Sequence, residues 1–126
     1  MRHRVAGRKF DLPSDQRMAL LKGLVRSLFE YEHIKTTETR AKEVRSIAEK
    51  VITTAKKGLG DGNENGLHAR RQARRILNDE DLVKKLFDSV APKFTDRQGG
   101  YTRMVKLGFR RGDAAPMVKL ELAYEE

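Results

Sequence analysis

Two stretches decide the fold class of this 126-residue sequence: Tyr101-Thr-Arg-Met-Val-Lys-Leu-Gly-Phe109 and Val118-Lys-Leu-Glu-Leu-Ala-Tyr124. In the second, an apolar side chain recurs at every other position. The first alternates Tyr101, Arg103, Val105, Leu107 and Phe109 with Thr102, Met104 and Lys106. A period of two predicts strands, and the turn Arg110-Arg-Gly-Asp-Ala-Ala-Pro116 joins them into a β-hairpin with one buried face. A hairpin is marginally stable alone, so helices must pack against it.

The residues before the hairpin begin with the pattern of an amphipathic helix. Ser14 is a good N-cap, and apolar residues from Met18 to Phe29 recur at spacings of three and four as far as about Glu32. The segment His33-Ile-Lys-Thr-Thr37 is rich in β-branched residues and alternates, which predicts a short strand. We expect this strand to lie beside the hairpin.

A second helix is predicted from a cap at Thr37 to the residues 56–58. Its apolar stripe consists of Ala41, Val44, Ala48, Val51 and Ala55, widened by Ile47 and Ile52. The following segment, Gly58-Leu-Gly-Asp-Gly-Asn-Glu-Asn-Gly66, holds four of the ten glycines and predicts a flexible surface loop.

Two further helices are predicted between this loop and the hairpin. The third spans about Leu67 to Leu77, and Asn78 or Asp79 caps the fourth, which ends at Pro92. The predicted fold class is α+β: four helices packed on a small sheet, which is made of the short strand after the first helix and the C-terminal β-hairpin. We predict one globular domain over residues 13–126, preceded by a basic arm at 1–12.

The charge balance indicates a polyanionic partner. The chain has 27 Lys and Arg against 18 Asp and Glu, a net charge of +9 and a pI near 10.0. Such a field attracts phosphates, so nucleic acid is the first partner to consider. The chain has no cysteine, which excludes disulfides and thiolate metal sites, and no apolar run of the ~20 residues needed to span a bilayer. We expect a cytoplasmic protein.

Two basic clusters in the domain are candidates for phosphate contact. The third helix carries Arg70, Arg71, Arg74 and Arg75 on adjoining faces, with almost no acid in the same helix to balance them. The second cluster consists of Arg97, Arg103, Lys106, Arg110 and Arg111, interleaved with Gly99, Gly100 and Gly108. Tyr101, beside this cluster, could stack on an unpaired base or simply pack against the sheet.

Motifs that suggest other functions are incomplete. The segment from Asp61 echoes the start of a calcium loop, but the twelfth position is Gln72 instead of the required Glu. The acids 79–81 are explained by capping and by the helix dipole. The tripeptide 111–113 is better interpreted as a hairpin turn than as a cell-adhesion motif. No arrangement of nucleophile, base and orienting group is visible, so nothing favours catalysis.

Several phrases of the sequence, in order along the chain, resemble the bacterial ribosomal protein L17 family. They are Met1-Arg-His-Arg4, Ile34-Lys-Thr-Thr37 with Arg40-Ala-Lys-Glu43, His68-Ala-Arg-Arg71, Leu86-Phe87, Gly99-Gly-Tyr-Thr-Arg103, Gly108-Phe-Arg-Arg-Gly-Asp113 and Ala115-Pro-Met117. The resemblance covers essentially the whole chain. It implies a structural constituent of the large ribosomal subunit, without enzymatic activity, near the nascent-chain exit.

The resemblance also implies partners and contact residues. The partners would be large-subunit ribosomal RNA and neighbouring large-subunit ribosomal proteins, with the protein a monomer in the ribosome and no cofactor, metal, membrane or small-molecule substrate. Matching the family's pattern, the expected RNA contacts are Arg2, His3, Arg4, Arg8 and Lys9 in the arm, the segment Gly99 to Arg103, and Arg110 with Arg111.

Two other classes of protein fit the sequence less well. A chromosomal DNA-binding protein or helix-turn-helix regulator would read bases with the second helix of its pair, whereas here the arginines lie on the first. An RNA-processing enzyme would need acids or a histidine pair in one pocket, which the sequence does not offer.

Overall fold

The computed structural model of the chain describes residues 13–60 and 62–124. The helices are α1 (Ser14–Tyr31), α2 (Glu38–Gly60), α3 (Gly62–Leu77) and α4 (Glu80–Lys85). The helical path continues after α4 through a π turn (Leu86–Val90) and a 3-10 helix (Ala91–Phe94). The strands are β1 (His33–Thr37), β2 (Thr102–Phe109) and β3 (Pro116–Leu122). The predicted arm, residues 1–12, lies outside the described residues.

The three strands form an antiparallel sheet in the order β1-β3-β2. Ile34 pairs with Leu120, and Leu120 in turn pairs with Met104, so the strand after α1 joins the C-terminal hairpin. This confirms the predicted α+β architecture, including the bounds of β1. Within residues 13–60 and 62–124, both β1 and β2 are edge strands, since each pairs with β3 on one side only.

The core lies between the inner face of the sheet and the helices. Most of the predicted stripes of α1 and α2 is buried, but Met18 is exposed and Leu24 and Ile47 are only partly buried. Strand β3 contributes its even-numbered side chains Val118, Leu120 and Leu122. Burying one such aliphatic side chain stabilises the fold by roughly 1.5–3 kcal/mol relative to leaving it exposed. The period-of-two prediction for β3 is therefore confirmed.

The caps of the helices were predicted with mixed success. Ser14 is the first residue of α1 instead of its cap, because the carbonyl of Pro13 already accepts the first helical hydrogen bond, from the N–H of Arg17 at 2.9 Å. Of the two candidate caps of α4, Asn78 and Asp79, the N-cap is Asp79. The Asp79 Oδ1 accepts hydrogen bonds from the N–H groups of Asp81 (2.9 Å) and Leu82 (3.4 Å).

The prediction of a surface loop at 58–66 was wrong, because most of this segment is helical. Helix α2 continues to Gly60, and α3 begins at Gly62. The two helices pack against each other, and a Cβ added to Gly66 would lie 3.3 Å from the carbonyl oxygen of Gly58. The glycines therefore permit a close approach of two backbones, a use that local turn signals cannot distinguish from a loop.

Pro92 does not end the helical path, which continues to Phe94. Proline has no N–H to donate to the carbonyl four residues earlier. The path widens just before it, where the N–H of Ala91 bonds to the carbonyl of Leu86, five residues back. This irregular turn carries Phe94 into the core, where it is buried under the sheet.

The inner face of β2 is carried by Thr102 and Met104 instead of the apolar residues Val105, Leu107 and Phe109, which are exposed. The register explains this, because Thr102 pairs with Leu122 and Met104 with Leu120. A β-bulge between Lys106 and Gly108 then shifts the pairing, and the strand runs on past the core. The prediction that β2 buries an alternating apolar face along its length was wrong.

Candidate RNA interface

Helix α3 presents its four arginines to solvent. Arg70, Arg71, Arg74 and Arg75 are all exposed, while Ala69, Ala73 and Leu77 on the opposite side are buried. The helix is thus held by a seam of small side chains, and its outer surface is free to carry charge. This agrees with the predicted position of the arginine cluster on one face.

The structure changes the electrostatic setting of this arginine cluster. An open groove of about 710 Å³ separates α3 from α4, and the acids Glu80, Asp81 and Asp88 line it together with Arg70, Arg71 and Arg74. The Arg74 guanidinium lies 3.0 Å from the Glu80 carboxylate. Sequence analysis found almost no acid in the third helix, but α4 and the turn after it supply acids across the groove.

Individual arginines of α3 therefore differ in their partners. The Arg70 guanidinium lies 4.6 Å from the centre of the Phe87 ring, a cation–π contact that also covers the buried phenyl ring. Arg75 lies on the α2 side, in a shallow groove with Lys50 and Gln72. Within the part of the chain that the structure describes, Arg71 and Arg75 have no ion-pair or hydrogen-bond partner.

The glycine-rich segment before β2 is held from inside by a polar cluster. The Arg97 guanidinium donates hydrogen bonds to the carbonyls of Gly100 (3.2 Å) and Ala123 (2.8 Å). Gly99 and Gly100 have φ values of 88° and 65°, a backbone conformation that favours glycine. Arg97, one of the predicted RNA contacts, therefore uses one guanidinium nitrogen to hold backbone carbonyls of the fold.

Tyr101 is a core residue. Its side chain is 2% exposed, its N–H donates to Glu49 Oε1 at 3.0 Å, and its hydroxyl accepts a hydrogen bond from Lys56 Nζ at 2.9 Å. Burial raises the pKa of the Tyr101 hydroxyl, but hydrogen bonds, that from Lys56 foremost, bring the pKa below its usual value. Of the two roles considered for Tyr101, packing is the one this structure shows, because a buried ring cannot stack on a base.

Some cations of the hairpin are paired with carboxylates, and others have no such partner among the described residues. Arg103 donates to Glu121 at 2.7 Å and Arg110 pairs with Asp113 across the turn. The hydrogen bond from Arg110 is the main reason that the pKa of the Asp113 carboxyl falls to about 2. Lys106 and Arg111 are exposed and, among residues 13–60 and 62–124, have no such partner.

The outer face of the sheet adds a basic pair that sequence analysis did not single out. Lys35 on β1 lies directly opposite Lys119 on β3. Like charges facing each other across strands are unfavourable, and here Glu121, 3.3 Å from Lys119, offsets part of the repulsion. The signal was present in the sequence, but it became visible only with the register.

Comparison with known proteins decides the family. The family described as ribosomal protein L17 matches residues 20–123. The chain belongs to the ribosomal protein L17 family. Two proteins named large ribosomal subunit protein bL17, from Thermoanaerobacter sp. (strain X514) and Desulforudis audaxviator (strain MP104C), are each 59% identical over 115 residues, covering 91% of this chain and 96% of the relative. The protein of that name from Desulforapulum autotrophicum is 49% identical over 126 residues, covering 100% of this chain and 99% of the relative.

Membership of the ribosomal protein L17 family confirms the predicted resemblance and makes the chain a structural ribosomal protein, not an enzyme. Among the residues that the structure describes, no helix is long and apolar enough to cross a membrane, and no group of His, Asp and Glu is arranged to hold a metal ion. The alternative of a helix-turn-helix regulator also fits poorly, because the exposed arginines lie on α3, the first helix of the pair, whereas such a regulator reads bases with its second.

Proposed function

We propose that this chain is an architectural protein of the large ribosomal subunit that binds large-subunit ribosomal RNA. The observation that carries the proposal is the solvent-facing arginine cluster of α3. Arg71 and Arg75 have no intramolecular partner among the described residues, and a guanidinium can bond two phosphate oxygens at once. The relatives are named as large-subunit proteins, and the net charge of +9 suits an RNA partner.

The proposed contact surface has three parts. The first is the exposed face of α3, chiefly Arg71 and Arg75. The second is the hairpin, where Lys106 and Arg111 have no partner in the part of the chain that the structure describes and where Arg103 and Arg110 are paired with carboxylates. The third is the N-terminal arm, whose predicted contacts Arg2, His3, Arg4, Arg8 and Lys9 lie outside the described residues. Neighbouring large-subunit proteins, a position near the nascent-chain exit and assembly as a monomer in the cytoplasm complete the proposal.

Gly99 and Gly100 were expected to contact RNA, and in this proposal their main role is to shape the turn before β2. Their positive φ values shape the turn that delivers Tyr101 to Glu49 and Lys56. They support the start of β2, and thereby position the hairpin cations. RNA contact through the backbone of these glycines remains part of the proposal, whereas contact through the Tyr101 ring does not.

The salt dependence of RNA binding tests the role of α3. Each phosphate contact contributes about one unit to the slope of log affinity against log salt concentration. The double variant Arg71→Gln/Arg75→Gln should lower this slope by about two units on a large-subunit ribosomal RNA transcript. Its melting temperature should match that of the wild type, because neither side chain has a hydrogen-bond or ion-pair partner among the described residues.

A matched control removes the same charge from another surface. Arg45→Gln/Lys57→Gln takes two exposed cations from α2, outside the proposed contact surface. Equal losses in the two double variants would mean that affinity reflects overall charge, and the assignment to α3 would be wrong. In cells, the wild type should comigrate with the large subunit in a sucrose gradient after a high-salt wash. Sedimentation at the top of the gradient or with DNA would contradict the ribosomal proposal.

A further inference from the structure

The distal half of the hairpin carries three apolar side chains that the described chain leaves exposed to different extents. Val105, Leu107 and Phe109 are 40%, 49% and 76% exposed, although β2 begins with two side chains that face the core. Every residue from Val105 to Ala114 is exposed. Beyond Met117, the last partner of β1, the hairpin continues as a two-stranded ribbon that runs from the pair Phe109 and Pro116 to the turn. The Phe109 ring is therefore accessible to a partner.

Phe109 is the most exposed of the three and stands at the end of β2. It pairs with Pro116, the first residue of β3. Directly paired residues of antiparallel strands share a face, so the ring lies on the side of Pro116 and Val118, beyond the point where the core ends. The bulge between Lys106 and Gly108 sets this orientation, and Gly108 has a φ of 100° that suits glycine. The ring is therefore held on a defined face of the ribbon.

The segment that contains this ring is rich in cations. Residues 103–121 contain five Lys and Arg side chains and two carboxylates, and both carboxylates are paired with arginine. Lys106 lies three positions before Phe109 and Arg111 two positions after it, and both are without a partner in the described residues. The combination of an uncovered aromatic ring with unpaired cations on either side matches a single-stranded nucleic acid, which presents stacked bases and phosphates together.

We propose that Phe109 stacks on an unpaired base of ribosomal RNA, while Arg111 and Lys106 bind the phosphates that flank that base. The proposal rests on the RNA-binding function above and adds a base-stacking site that Tyr101 cannot provide. A second copy of the chain fits the ribbon poorly, because two ribbons with the same excess of positive charge repel each other. An apolar protein segment would use the ring and the aliphatic side chains, but it would leave Lys106 and Arg111 unpaired.

Substitutions that separate stacking from hydrophobic contact test the proposal. Phe109→Leu keeps an apolar side chain and removes the ring, whereas Phe109→Tyr keeps a ring. On a large-subunit ribosomal RNA transcript we expect Phe109→Leu to raise the Kd about tenfold and Phe109→Tyr to leave it within about twofold. Both variants should melt like the wild type, because the ring is exposed. An unchanged Kd for Phe109→Leu in a chain that still binds RNA overturns the stacking site and leaves the proposed function standing.

A fluorescent reporter gives a second, independent readout. The chain has no tryptophan, so Phe109→Trp introduces the only indole, and stacking on a base should quench its emission when the RNA transcript is added. Tyr31→Trp is the matched control, at an aromatic position 63% exposed and next to the opposite end of the sheet. Quenching confined to position 109 supports the proposal. Equal quenching at both positions, or no quenching at position 109, overturns it. If the wild type does not bind the RNA transcript at all, the proposed function is overturned as well.

Discussion

The two ends of β2 each carry an aromatic residue, and the surroundings of the two rings are opposite. Tyr101, just before the strand, lies 5.2 Å from the Phe94 ring, between ring centres, and is bonded by Lys56. Phe109, at the end of the strand, is 76% exposed. One end is covered by α2 and the 3-10 helix, and the other extends beyond them. Alternation along a strand thus indicates which side chains share a face, but the length of the covering layer decides which are buried.

The largest expected change in the free energy of unfolding comes from substitution at the buried end of β2. Phe94 is 1% exposed and its ring stacks on Tyr124 at 5.3 Å between centres as well as contacting Tyr101. Phe94→Ala should lower the free energy of unfolding by about 3–5 kcal/mol, because it leaves a cavity between two rings. Phe109→Ala should change it by less than about 0.5 kcal/mol. Chemical denaturation of both variants measures the difference, and similar losses would show that the ribbon is part of the core.

A smaller loss of folding stability is expected when the polar contacts at the buried end of β2 are removed. Glu49 Oε1 accepts hydrogen bonds from the Tyr101 N–H at 3.0 Å and the Thr102 hydroxyl at 3.4 Å. Glu49→Ala leaves both donors without this acceptor and should cost about 1–3 kcal/mol. Glu30→Ala, at an exposed position of α1, is the control and should cost little. Equal midpoints of urea denaturation would mean that water replaces Glu49 without loss.

The smallest effect is expected at the turn of the exposed end. The hydrogen bond from Arg110 holds the pKa of Asp113 at about 2, below the ordinary 3.8. A pKa lowered in the folded chain favours the ionised carboxylate, so this contribution is complete above about pH 4 and disappears as the pH falls towards 2. NMR titration of the Asp113 carboxyl carbon should show this midpoint, and Arg110→Gln should return it towards 3.8. A midpoint that Arg110→Gln does not move would exclude this ion pair as the cause.

The same turn predicts unequal roles for two neighbouring arginines. Near neutral pH Arg110 remains paired with Asp113, whereas Arg111 is free of such a pair among the described residues. Arg111→Gln should therefore weaken RNA binding more than Arg110→Gln does, although the two changes remove the same charge. Filter binding at several salt concentrations makes the comparison, and a larger loss for Arg110→Gln would reverse the assignment.

The sequence was a reliable guide where one apolar period extends over a whole element. The stripes of α1 and α2, the bounds of β1 and the inner face of β3 follow from packing against a single core. Local signals failed where residues distant in sequence decide the outcome. Gly58 and Gly66 predicted a loop, but the contact between two helices uses them. Ser14 looked like a cap, but the carbonyl of Pro13 already filled that role.

The candidate site was predictable in its charges and not in its aromatic residue. The exposure of Arg71, Arg75 and Arg111 follows from their position on polar faces. Tyr101 and Phe109 both stand at odd positions of one alternating run, so the pattern alone could not separate them. They differ because Phe94 and α2 cover only the Tyr101 end of the strand, which the alternation does not show. The acids that face the α3 arginines were hidden for a similar reason, since α4 supplies them across a groove.

The strand order β1-β3-β2 has a consequence for the time course of synthesis. Both outer strands pair with β3 and neither pairs with the other, although β3 follows them in the chain. No sheet hydrogen bond can form until residues 116–122 have been translated, whereas each helix can begin to form as soon as its own residues emerge. Pairing of Ile34 with Leu120 closes a long loop, which makes it a slow step of folding. The last strand to be synthesised therefore sets when the whole domain is complete.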